Sequence, residues 1–163
     1  MTTTTIQNKI YTNIINRLGN ISIASGYFND INAVKKSPTL NPQENDIPII
    51  YCWLLDDTVI ERAFYHEVRQ LSIGLTAFIH SSDIPYSDLV YKLSCDIMTA
   101  LNRATTAKLV SNSPSFNLGG LVDDLIITSV TPYFRSGGTG ICGVMLEINA
   151  QYKIEDNNFY VTE

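Results

Sequence analysis

At 163 residues, 45% hydrophobic and only 17% charged, the chain excludes a disordered polypeptide and is long enough to bury roughly 70% of its unfolded surface in one domain. A formal charge of −5, a pI near 4.9 and a single adjacent basic pair, Lys35-Lys36, exclude tight binding of nucleic acid through its phosphates. No apolar run approaches the roughly 20 residues that cross a bilayer, and Met-Thr-Thr-Thr-Thr lacks the parts of a signal peptide, so no membrane contact is expected and synthesis in the cytoplasm is.

Thr4 and Gln7 have capping-box spacing, and Ile6, Ile10, Ile14 and Leu18 recur at helical intervals with Tyr11 and Ile15 beside them. A helix over 5–18 is predicted, closed by a left-handed Gly19, with Asn8, Lys9, Asn13, Asn16 and Arg17 away from its apolar stripe. Residues 21–34 suggest a short strand with irregular ends around Tyr27, Phe28, Ile31 and Val34. Pro38, Pro42 and Pro48 then predict a loop over 35–48.

Ile49 to Leu55 reads as a continuous apolar strand, broken at Asp56-Asp57-Thr58, with Glu61-Arg62 in a polar turn. From Tyr65 to His80 the chain alternates with period two, with Leu71, Ile73, Leu75, Ala77 and Ile79 on one face. Together these runs predict an antiparallel hairpin. Asp83-Ile84-Pro85 starts a second helix, in which Asp88 complements the positive end and Leu89, Leu93, Ile97 and Leu101 form the stripe. Arg103 and Lys108 sit at its favourable end, and a loop spans 111–115. A final hairpin turns at 135–140, with Cys142, Val144, Leu146, Ile148 and Ala150 on one face of its second strand. Residues 155–163 are expected to be a mobile tail. The expected fold is α+β in one domain: an antiparallel sheet of four to five strands with two helices packed on one face.

The chemistry is sparse. Cys52, Cys95 and Cys142 are scattered among apolar residues and read as buried free thiols, with no C-x-x-C pair to hold zinc. Gly137-Gly138-Thr139-Gly140 lacks the lysine and following helix of a phosphate loop. Asp56-Asp57 and Asp123-Asp124 would chelate a cation only if they converged, and solvated strand ends are the simpler reading. His66 and His80 share a strand face without a nucleophile signature, so no catalytic residue, metal or cofactor is assigned. Phe64-Tyr65, Tyr133-Phe134 and Phe159-Tyr160 fall near turns or the tail, where exposed aromatics point to contact with another chain. The candidate interface residues are Lys35 and Lys36 in the proline-rich loop, Asp56, Asp57, Glu61 and Arg62 in the hairpin turn, and Tyr133, Phe134, Arg135, Gly137 and Gly138 in the terminal hairpin.

The layout resembles the tail terminator (tail completion) proteins of long-tailed bacteriophages. The similarity lies in the opening helix through Ile14 to Leu18, the proline-led strand from Pro48 to Leu54, the long strand from Val68 to His80 and the helix from Tyr86 to Arg103. It is strongest at Leu118-Gly119-Gly120-Leu121-Val122-Asp123-Asp124, leading into the last hairpin. The resemblance implies a virion structural protein of the tail or neck and not an enzyme. It implies a homo-hexameric ring that caps the tail tube protein, ends its polymerisation and meets the head–tail connector. DNA would be only a passing cargo in the lumen, which copies at −5 each would keep from sticking. Another head–tail joining protein would show a similar layout, and a small-molecule-binding or enzymatic α+β domain remains the third reading.

Overall fold

The structure is a computed structural model, and it describes residues 3–39, 42–81, 86–102, 118, 120–134, 140–155 and 159–162. In chain order the elements are β1 (Thr3–Thr5), α1 (Ile6–Gly19), β2 (Ala33–Lys36), β3 (Ile49–Ala63), β4 (His66–His80), α2 (Tyr86–Asn102), β5 (Asp124–Phe134), β6 (Ile141–Glu155) and β7 (Tyr160–Thr162). Five strands form a sheet in the order β2-β3-β4-β6-β5, and β1 and β7 form a separate pair. The fold is α+β. Every pair in the main sheet is antiparallel except β2 with β3, which is parallel.

The period-two alternation of β4 sets the layers. Leu71, Ile73, Leu75, Ala77 and Ile79 share a face with Ile50 and Cys52 of β3 and with Cys142, Val144, Leu146, Ile148, Ala150 and Tyr152 of β6. The buried residues of α1 (Ile10, Tyr11, Ile14, Leu18) and α2 (Leu89, Val90, Leu93, Ile97, Ala100, Leu101) belong to that same cluster. The opposite face carries a smaller cluster of Ile49, Tyr51, Phe78 and Ile141, against which Trp53 and Tyr133 pack. Two glycines shape it. The Trp53 indole lies over Gly74, and Gly143 lets the Phe78 and Tyr133 rings meet edge to face at 5.5 Å.

Several expectations need correction. The cap of α1 is Thr5, whose Oγ1 accepts from the Asn8 amide at 3.2 Å, while Thr4 Oγ1 accepts from the Asn8 side chain. Gly19 is the last helical residue, and the chain leaves through Asn20 at φ −90° without a left-handed residue. Arg17 is buried: Nη1 donates to the Leu101 carbonyl at 2.7 Å and Nε to Asn13 Oδ1 at 2.9 Å. Residues 27–32 are not strand. The Phe28 and Asn29 amides donate to the buried carboxylate of Asp96, which tethers this segment to α2. Lys35 and Lys36 are in β2, not in a loop.

Asp56 to Arg62 is strand, not turn. β3 continues to Ala63, and bulges at Leu55 and Ile60 each insert a residue that spoils the alternation expected of a strand. The two-residue turn is Phe64-Tyr65, so Tyr65 precedes β4. The tail is ordered in part, because Tyr160–Thr162 pairs antiparallel with Thr3–Thr5. Cys52 and Cys142 are buried, but Cys95 is exposed on the outer side of α2. Asp83, Ile84, Pro85, Arg103, Lys108, residues 111–115, Gly119, Arg135, Gly137, Gly138 and Thr139 lie outside the described residues, as does the side chain of Phe134.

Candidate interaction surface

The outer edge of β3 is the most exposed apolar feature among the described residues. β2 pairs only with Ile49, Ile50, Tyr51 and Cys52, so residues 53–63 have no described strand on that side. Along this stretch Leu54, Leu55 and Ile60 are each about half exposed, and it ends at Phe64, 99% exposed, and Tyr65, 76% exposed. The two rings lean on each other at 6.4 Å and touch little else. Neither residue has positive φ, so the turn is not of the glycine- or asparagine-demanding kind, and no local conformational need selects aromatics here. Among the described residues, then, the tip is an apolar surface that neither packs within the subunit nor serves the shape of its turn.

Behind this edge lies a polar network that stiffens it. The Asp57 carboxylate accepts from Tyr152 Oη at 2.9 Å, Gln7 Nε2 at 3.0 Å and Arg69 Nε at 3.1 Å. Arg69 also bonds Glu67 at 3.0 Å, and Glu67 in turn holds Arg62 at 3.0 Å. Burial lowers the Arg69 pKa, but its bonds to Asp57 and Glu67 outweigh that, and the net shift is upward. Burial, reinforced by the Asp57 carboxylate, pushes the Tyr152 hydroxyl well above its ordinary range. The guanidinium also lies 5.5 Å from the centre of the Phe159 ring, so the network clasps α1, the hairpin and the chain end together.

The other expected interface residues scatter. Asp56 is exposed and its carboxylate accepts from the Asp57 amide at 2.8 Å. Glu61 is exposed on β3. Lys35 bonds Asp46 at 2.7 Å, which raises its pKa, and Lys36 Nζ sits 5.2 Å over the Tyr11 ring. Lys35 is level with Tyr51, ten residues from Glu61 along β3, or roughly 33 Å. Tyr133 is half buried against Phe78, on the far side of the sheet. Thus Asp57 and Arg62 join one network, Asp56 and Glu61 flank it, and Lys35, Lys36 and Tyr133 lie elsewhere.

The acidic pairs do not converge. Asp57 is level with Leu71, Ala150 and Leu125, three strand spacings or about 14 Å from β5. His66 and His80 stand at opposite ends of β4, roughly 45 Å apart. Among the described residues no three His, Cys, Asp or Glu side chains group to hold a metal ion. A groove of about 590 Å³ between α1 and β2, lined by Ile15, Asn16, Asn20, Ile31, Asn32 and Val34 among others, has no acid, base or nucleophile in its lining.

Reasoning from the sequence missed Glu67, Arg69, Gln7 and Tyr152 as a unit. The signal was available: Glu67 and Arg69 share the parity of Leu71 and Ile73, which puts charge on the inward face of a strand. No helix among the described residues is long and apolar enough to cross a membrane. No protein-family model matches the chain, and no curated protein matches it.

Proposed function

We propose that this chain is a structural subunit of a phage tail, a terminator that closes into a ring, caps the tail tube and presents a surface to the head connector. The observation that carries the reading is the long edge of β3 with its aromatic end, an apolar surface that a lone subunit leaves in water. The fold is compatible with the resemblance at Leu118 to Asp124, where Leu118 (φ 49°) and Gly120 (φ 93°) turn the chain into β5. The resemblance, not the geometry, supplies the tube, the connector and the number six. A groove without titratable lining residues gives the enzymatic reading little to work with.

The test is solution mass by light scattering across concentrations, followed by capture of the resulting species on purified tail tubes. A species near six times 18.2 kDa that binds tube ends is expected. A ring that binds the connector but not tubes would favour a different neck protein. A chain that stays monomeric and ignores tubes would sink the proposal.

A further inference from the structure

We propose that the free edge of β3, residues 53–65, docks on the outer edge of β5 in a second copy of this chain, in a head-to-tail contact. It gives the ring reading its contact surface and rests on that reading only for self-association.

Among the described residues both rims of the sheet are open. On one rim β2 leaves residues 53–63 of β3 unpaired, and on the other no described strand pairs with the outside of β5, residues 124–134. The stretches are the same length, and each bears half-exposed apolar side chains: Leu54, Leu55 and Ile60 on β3, Ile126 and Val130 on β5. Burying these three β3 side chains with Phe64 and Tyr65 would remove on the order of 600 Å² from water, given about 150–250 Å² for each large aromatic. Main chain and flanking polar groups along the edge bring this close to the roughly 800 Å² per partner of a stable protein contact.

The edges also show why the contact is selective. An open, regular, apolar edge invites indiscriminate strand pairing. Here β3 is bulged at Leu55 and Ile60, and β5 is bulged at Thr128 and lacks an amide at Pro132. Regular hydrogen bonding is therefore confined to short runs between the bulges, and side-chain fit decides the partner. Bulges bend and twist a strand, and a bent contact between unlike rims closes a ring where a straight one would build a filament.

The test uses the full chain with Cys95→Ser, Ile60→Cys and Val130→Cys. Both new cysteines lie within two residues of the middle of their edges, so a short bis-maleimide would span them whether the strands meet parallel or antiparallel. A ladder of dimer, trimer and higher species is expected from the double-cysteine chain. Mixed single-cysteine chains should stop at a dimer joining one of each. Dimers from Ile60→Cys alone would mean that β3 meets β3, and would overturn the proposal, as would no ladder at the highest soluble concentration. As a check without cysteines, Phe64→Ser with Ile60→Asp should raise the concentration for association at least tenfold with an unchanged circular dichroism spectrum, and unchanged association would count against the contact. A ring by light scattering without a ladder refutes the contact and leaves the ring standing. A ladder without tube capture leaves the contact and removes the terminator.

Discussion

Two glycines on the same sheet face are not equivalent. A Cβ on Gly143 would collide with the Ala77 carbonyl oxygen, a backbone atom held in the β4–β6 ladder, with the Phe78 ring at 3.1 Å beyond it. A Cβ on Gly74 meets the Trp53 indole at 2.5 Å, and a ring can swing aside where a carbonyl cannot. Gly143→Ala should therefore cost about 3 kcal/mol or more, and Gly74→Ala about 1–2 kcal/mol with a shift in Trp53 emission. Urea unfolding with tryptophan fluorescence reads both, and the reverse order would refute the assignment. At Asp57 three side-chain donors converge on one carboxylate. Tyr152→Phe removes one bond to a charged acceptor, for about 1.5 kcal/mol, and Asp57→Asn weakens all three, for about 2 kcal/mol. Because the two share a bond, the double variant should lose less than their sum, and strict additivity in unfolding experiments would dismantle the network.

Between elements, Arg17 joins the two helices. Its Nη1 satisfies the Leu101 carbonyl in the last turn of α2, where carbonyls lack helical partners, and burial lowers its pKa. Arg17→Ala strands that carbonyl and should cost about 2 kcal/mol, with Arg17→Lys in between because an ammonium cannot bond Asn13 and Leu101 in one plane. Equal midpoints for Arg17→Lys and the parent in urea would show that geometry is not what matters. The same residue marks where local patterns stop being informative. The stripes of α1 and α2 and the alternation of β4 are visible because each residue's fate is set by neighbours three, four or two positions away. Arg17 looked solvent-facing because its partner lies 84 residues on. Asp56 and Asp57 looked like a turn because the bulge at Leu55 hides the continuing strand, and because Asp57 finds its donors on α1, β4 and β6. The short strand expected within residues 21–34 is confined to Ala33–Lys36, and its bounds were not legible because parallel pairing across a proline-rich connection leaves little local trace. At the edge, the exposure of Leu54 and Leu55 was invisible in a run that reads as core throughout.

At the scale of the whole molecule, four protonated groups among the described residues are held in surroundings that disfavour ionisation. Burial pushes the Cys52 thiol up to about 12 and the Cys142 thiol upward, and burial raises the Tyr11 and Tyr152 hydroxyls, with the neighbouring Cys52 side chain adding to the rise of Tyr11. Folded values above the ordinary unfolded ones, about 8.5 for cysteine and 10 for tyrosine, mean that their contribution is fully present below about pH 8.5. It drains away as the pH rises, because the unfolded chain then gives up protons that the folded one keeps. The urea midpoint should fall steadily above about pH 9, and Cys52→Ala should flatten that fall by up to one proton's worth of slope. A midpoint indifferent to alkali would contradict the burial. The pairing of Thr3–Thr5 with Tyr160–Thr162 has a topological consequence. Thr3 and Thr162 face each other across a strand pair, about 5 Å apart, so a few glycines would join them. The chain can then be circularly permuted, sealed at its former ends and reopened between Phe64 and Tyr65, with every strand of the sheet keeping its neighbours. Such a permutant would turn the aromatic tip into a pair of loose ends, separating what that corner does for assembly from what it does for folding.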